Sequence, residues 1–157
     1  MRLFTLLFIL FEGTAVATNH PICKYYEEFE EQHRCGSNGY FLAFGQKYCN
    51  KFLDSESEFN RIGRNFVDCT AKCLVKRLES YLEIQSQLTC PTITDKAFEM
   101  HVDCYLECNF CAAWCTNKRT LFKIYDVRDF QTSRAIRTVF EVLHKCGGIV
   151  KLHIQHV

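Results

Sequence analysis

An all-α domain held by disulfides between antiparallel helices is the fold class this sequence predicts. Three observations carry that expectation. The chain has only two prolines, Pro21 and Pro91, and seven glycines in 157 residues, so few positions interrupt helices. Apolar residues recur at spacings of three and four over long stretches. Eleven cysteines all lie beyond residue 17: positions 23, 35, 49, 69, 73, 90, 104, 108, 111, 115 and 146.

The first segment, MRLFTLLFILFEGTAVATNH, has the layout of a secretory signal peptide. Arg2 is a short basic region, Leu3 to Phe11 an apolar run, and Ala15-Val16-Ala17 a small-residue cleavage site. The apolar run is far below the ~20 residues a bilayer span needs, and no later segment is apolar enough to span. The expectation is a signal peptide over 1–17 and one mature domain over 18–157, secreted and extracellular, with no membrane span. Cleavage removes one base, Arg2, and one acid, Glu12, so the net charge stays at +1. Nothing in that charge points to nucleic acid.

Cys23 to His33 reads as a short amphipathic helix. Tyr25, Tyr26 and Phe29 lie against Glu27, Glu28, Glu30 and Glu31, which form its solvated face. Cys35-Gly36-Ser37-Asn38-Gly39 reads as a turn. From Glu56 to about Gln85 the periodicity is strongest, through Phe59, Ile62, Phe66, Thr70, Cys73, Leu74, Arg77, Leu78, Tyr81 and Leu82. The Phe59–Phe66–Leu74 face is read as core. Gly63 inside this helix costs about 1 kcal/mol relative to alanine and predicts the close approach of another backbone. Pro91 breaks the chain. Thr92 or Thr94 then caps a second helix striped by Phe98, Val102, Tyr105 and Asn109. A third helix runs from Asp126 or Ser133 to Lys145, with Phe130, Ile136, Val139, Phe140 and Leu143, and Gly147-Gly148 stops it. The tail IVKLHIQHV has strand-like alternation.

The cysteine spacing is informative by itself. Cys69 and Cys73 are one helical turn apart, and so are Cys104 and Cys108. In an antiparallel helix pair, facing residues share a constant sum of residue numbers, and Cys73 with Cys104 has the same sum as Cys69 with Cys108. Two bridges are therefore predicted as rungs one turn, about 5.4 Å, apart, with the helices near enough for bridged Cα atoms to sit about 4.4–6.8 Å apart. The competing reading is a metal. CYLECNFCAAWC places Cys104, Cys108, Cys111 and Cys115 close enough to offer thiolates to zinc or an iron–sulfur cluster. Behind a signal peptide the oxidising route favours disulfides, so no metal and no cofactor is expected. The odd count leaves one thiol free or joined to another chain.

Six histidines are present. In HVDCYLEC, His101 and Cys104 match the second half of the helix motif of secreted phospholipases A2. The cysteine pair that should precede them is Ala97-Phe98, the aspartate that should follow the histidine is Val102, and the glycine-rich calcium loop is missing. No serine elbow, HExxH or EF-hand loop occurs. The expectation is that the chain is not an enzyme, with a His101/Asp103 phospholipase-like reading as the remote alternative.

The segment YCNKFLDSESEFNRIGRNFVDCTAKC, residues 48–73, resembles the stanniocalcins, secreted helical glycoprotein hormones. Their pattern C-x2-F-L-x5-F-x3-G-x2-F-V-x5-C falls without a gap on Cys49, Phe52, Leu53, Phe59, Gly63, Phe66, Val67 and Cys73. It resumes at Cys90, at Cys104-Tyr105, at Cys111 and at Cys146, so the resemblance covers roughly residues 35–146. It implies a bridge Cys73–Cys104, in agreement with the spacing argument, and a bridge Cys111–Cys146. It further implies that Cys49 and Cys90 each bond an amino-terminal cysteine, most simply Cys23 and Cys35. Cys69 and Cys108 are additions to the family set, and Cys115 is left over. Because stanniocalcins form disulfide-linked homodimers through an unpaired cysteine, Cys115 is the candidate for an intermolecular disulfide, and Trp114 beside it the candidate binding anchor.

The function the resemblance implies is hormone-type signalling by binding an extracellular receptor or protein partner, with control of calcium and phosphate handling. The alternative is a secreted disulfide-rich interaction or defence protein without hormone activity. The chain lacks the family's long carboxyl-terminal region and an Asn-x-Ser/Thr acceptor, with Asn109-Phe110-Cys111 only a weak substitute for the latter.

Overall fold

A computed structural model of the chain describes residues 19–85, 87–125 and 133–154, so the signal-peptide segment 1–17 and the candidate helix start at Asp126 with Phe130 lie outside the described residues. Among those residues there are six α-helices and no strand: α1 Tyr25–His33, α2 Lys47–Asp54, α3 Arg61–Ile84, α4 Cys90–Glu107, α5 Phe110–Ile124 and α6 Ser133–Ile154. A 3₁₀ turn, Pro21–Lys24, leads into α1, and a π-helical stretch, Phe41–Gln46, leads into α2. The all-α class read from the sequence is the observed one. No described helix is long and apolar enough to cross a membrane.

α3 is the axis of the molecule. Its carboxyl-terminal half places Leu74, Leu78 and Leu82 in one core with Tyr26 and Phe29 of α1, Phe41, and Ile93 and Ala97 of α4. Its amino-terminal half places Phe66 and Val67 in a second core with Phe52, Phe59, Phe110, Leu121 and Val142. The predicted core face is thus buried, with Phe59, Phe66 and Leu74 at 2%, 1% and 8% exposure. Aromatic edges stitch the second core: Phe66 meets Tyr105 and Phe110 at centroid distances of 5.3 and 5.4 Å.

Several boundaries differ from the expectation, each for a local reason. α3 begins at Arg61 because Asn60, extended, caps it: its side chain accepts from the Gly63 amide at 3.0 Å. Glu56–Glu58 form a separate short 3₁₀ turn, and Ile62 faces outward. Pro91 opens a helix instead of breaking the chain. It sits in the first turn of α4, where its missing N–H costs nothing, and Thr89 is the cap instead of Thr92 or Thr94. Asn109 does not extend the α4 stripe; it is left-handed (φ 63°) and reverses the chain into α5, which the sequence reading did not separate. α6 continues through Gly147-Gly148 to Ile154, so the tail is helical through that residue. Two glycines weaken a helix without ending it, and Ile149/Leu152 and Val150/Ile154 fit helical spacing as well as strand alternation. The buried face of α6 is Ala135, Val142 and Cys146, whereas Ile136 and Phe140 of the predicted stripe are exposed.

Gly63 does admit a close approach, but by side chains and not by a backbone. A Cβ there would meet Phe59 at 2.5 Å and the Asn117 amide at 2.9 Å. The acidic face of α1 is also less idle than predicted: Glu30 accepts from the Gly36 amide at 2.6 Å, and Glu27 holds Asn19 and Gln46.

Candidate functional site

α3 and α4 run side by side, and the structure places Cys73 opposite Cys104 and Cys69 opposite Cys108, with Cα separations of 5.8 and 5.6 Å. Both lie within the range a disulfide requires. Cys111 of α5 meets Cys146 of α6 at 5.3 Å. At the amino-terminal end Cys23 meets Cys49 at 5.7 Å and Cys35 meets Cys90 at 5.5 Å. Each of the first five helices, and α6, is thereby tied to a neighbour, directly or through the segment that adjoins it. Beside the rungs, Arg77 of α3 bridges Asp103 (3.2 Å) and Glu107 of α4.

Cys115 remains without a partner and is exposed. It lies on α5 next to Trp114, whose indole is half-buried: it stacks on Phe110 at 5.9 Å and meets the edge of Phe122 at 5.1 Å. Phe122 is 66% exposed, and Phe140 of α6 is 69% exposed. An apolar cavity of about 90 Å³ opens between the two helices, walled by Phe110, Trp114, Phe122, Val139 and Val142 among others. Surface aromatics of this size gathered at one edge are the usual mark of an interaction surface.

His101 and Asp103 are not brought together. His101 hydrogen-bonds through Nδ1 to the Ala97 carbonyl at 2.8 Å and packs against Tyr40, Phe98 and Tyr105. Desolvation by these rings lowers its pKa below the ordinary 6.5, an effect only partly offset by the Ala97 bond. Asp103 is on another face of α4, engaged with Arg77. Of the four thiols in CYLECNFCAAWC, Cys104, Cys108 and Cys111 each face a different cysteine, Cys73, Cys69 and Cys146, which sets aside the metal reading for them. Among the described residues no group of three or more His, Cys, Asp or Glu is arranged to hold a metal ion.

One polar centre was not anticipated. Asn117, 6% exposed, sits where α5 is locally non-helical (φ −133°, ψ 26°). Its carbonyl oxygen accepts from the Asn60 amide at 2.9 Å, while its amide nitrogen donates to the Asn60 side chain and to the Ala113 carbonyl, both at 3.0 Å. The kink in α5 thus clasps the amino terminus of α3 over Gly63. An isolated asparagine in TNKRT carries no signal of this in the sequence.

A family profile described as "Stanniocalcin family" matches residues 17–157. Stanniocalcin-2 of Macaca nemestrina is 28% identical over 108 residues, which are 69% of this chain and 35% of that protein. Stanniocalcin-2 of Homo sapiens is 27% identical over 108 residues with the same coverage. That of Mus musculus is 24% identical over 103 residues, 66% of this chain and 34% of that protein. The matched region thus spans about a third of the length of these curated relatives. No solved structure matches the chain. With the profile running through all six helices and all eleven cysteines, the chain belongs to the stanniocalcin family.

Proposed function

We propose that this chain is a secreted stanniocalcin-type regulator that acts by binding an extracellular protein, in the manner of a hormone, with calcium and phosphate handling as the physiology. The signal peptide 1–17 is removed, and 18–157 is the acting domain. Two chains join through Cys115, and Trp114 with its neighbouring aromatics forms the contact edge. The observation that carries the reading is the combination of family membership with a rigidly stapled core whose unpaired, exposed thiol lies beside an aromatic edge. Catalysis has no support in the geometry of His101 and Asp103.

Expression of the full chain in a secretory host tests this. The medium should contain protein beginning at Thr18, a dimer without reductant and a monomer with it, and Cys115→Ser should be monomeric in both. Retention in the cell, or a Cys115→Ser protein that still forms the disulfide dimer, contradicts the proposal.

The same five cysteine pairs also suit a second reading, a stapled interaction or defence protein without hormone activity. Changes in calcium or phosphate transport by epithelial cells given the purified dimer separate the two.

A further inference from the structure

The Asn60–Asn117 clasp has a consequence for charge. It brings together two distant basic segments, NRIGR at the start of α3 and NKR in α5. Arg61 and Arg64 flank one side of the clasp, Lys118 and Arg119 the other, and all four are exposed. Arg61, Lys118 and Arg119 have no ion pair among the described residues, and the Arg64 guanidinium donates to a neutral group, the Phe59 carbonyl, at 2.7 Å. Two acids close to these segments in sequence or across the clasp are already paired. Glu58 is taken up by Lys123 at 2.6 Å and Asp68 by Lys72 at 2.7 Å.

The near-zero net charge conceals this. The acidic helix α1 shares a core with Leu74, Leu78 and Leu82 of α3 through Tyr26 and Phe29, while these cations lie at the amino-terminal end of α3 and on α5.

We propose that the surface formed by Arg61, Arg64, Lys118 and Arg119 binds a linear sulfated polysaccharide, which would hold the protein near cell surfaces or matrix. Three of the four residues are arginines, whose planar forks pair with tetrahedral oxyanions through two hydrogen bonds at once. Four cations without carboxylate partners form a field that attracts a flexible polyanion and weakens with salt. The biological setting rests on the extracellular reading above; the binding itself does not, and it is measured on purified protein whether or not the chain is secreted.

The test is chromatography on immobilised heparin with a sodium chloride gradient, using the intact, oxidised chain. The wild type should be retained at about 0.15 M salt. A variant with Arg61, Arg64, Lys118 and Arg119 all changed to serine should lose on the order of tenfold or more in affinity. A control with Lys24, Lys76, Lys96 and Arg137 changed to serine, the same charge removed elsewhere, should elute close to the wild type. Circular dichroism of each variant shows that the helices persist; if the quadruple variant is unfolded, the pairs Arg61/Arg64 and Lys118/Arg119 changed separately should each give a partial loss. Failure of the wild type to bind heparin overturns the proposal, and so does an equal loss in the control. Binding to phosphatidylserine vesicles or single-stranded DNA that heparin does not displace also overturns it, in favour of a membrane or nucleic-acid partner.

Discussion

Asn117 shows how much structure one side chain can hold. It is buried, it satisfies the Asn60 amide, and it stands against Gly63. Asn117→Ala leaves those partners unpaired in a closed site, and we expect a loss of roughly 1–3 kcal/mol in chemical denaturation. Asn117→Asp keeps the acceptor toward the Asn60 amide but loses the donors to the Asn60 side chain and the Ala113 carbonyl, setting a carboxylate oxygen against two acceptors, and it should cost at least as much as Asn117→Ala. Gly63→Ala makes an opposite kind of prediction. On propensity alone alanine would stabilise the helix by up to about 1 kcal/mol. Here the added methyl meets Phe59 and Asn117, and the net effect should be destabilising by about 1–3 kcal/mol. A rise in the denaturation midpoint would show that the clasp yields.

His101 gives the pH dependence at the same scale. Its pKa is lowered in the folded state, so the unfolded chain binds the proton more readily. The contribution to stability is complete above the ordinary value of 6.5 and is lost as the pH falls through the lowered folded value. Denaturation midpoints measured from neutral pH down to about pH 5 should decline in the wild type, and His101→Gln should flatten that decline. An unchanged slope would contradict the burial of the ring.

At the scale of elements, the two rungs between α3 and α4 are not equivalent to two independent bridges. The Cys73–Cys104 bridge closes a 31-residue separation, for which loop entropy gives roughly 3–4 kcal/mol. Once it exists, Cys69–Cys108 closes only the short flanks beyond it and should add nearer 2 kcal/mol. Either rung alone closes nearly the same loop, of 39 or 31 residues, so we expect Cys69→Ala/Cys108→Ala and Cys73→Ala/Cys104→Ala each to keep the fold and to lose a similar amount, about 2 kcal/mol, as read from thermal unfolding. A markedly larger loss for one pair would mean that its rung acts through native packing and not through the unfolded chain.

The elements were unevenly legible in the sequence. α3 was plain because its apolar residues keep helical spacing for more than six turns, and the rung geometry followed from numbering alone. α2 and α5 were missed for different reasons. Lys47–Asp54 is too short for its periodicity to stand out. In α5 the density of cysteines suggested a metal cluster, and the reversal before it is made by Asn109, a residue with no obligation to be left-handed. The α6 stripe was displaced because Ile136 and Phe140 are apolar without being buried. Such residues are legible only once the partner helix is known.

For the whole molecule, the organising fact is that the six helices of the described residues, with two modest cores, are tied at five places by cysteine pairs, leaving one thiol at an aromatic edge. A chain of this size can bury a core without staples. The bridges add rigidity, which lets a binding surface be presented without an ordering cost on association. Neither the clasp nor the basic surface was readable from the linear sequence, because both depend on residues of α3 and α5 that only the fold makes neighbours.

The most direct test of this account is disulfide mapping of the oxidised protein by mass spectrometry after digestion without reduction. It predicts linked peptides for Cys23–Cys49, Cys35–Cys90, Cys69–Cys108, Cys73–Cys104 and Cys111–Cys146, with Cys115 found free or joined to the Cys115 of a second chain. Free thiols at the rung positions, a bound metal ion, or Cys69 linked to Cys104 in place of Cys108 would contradict it.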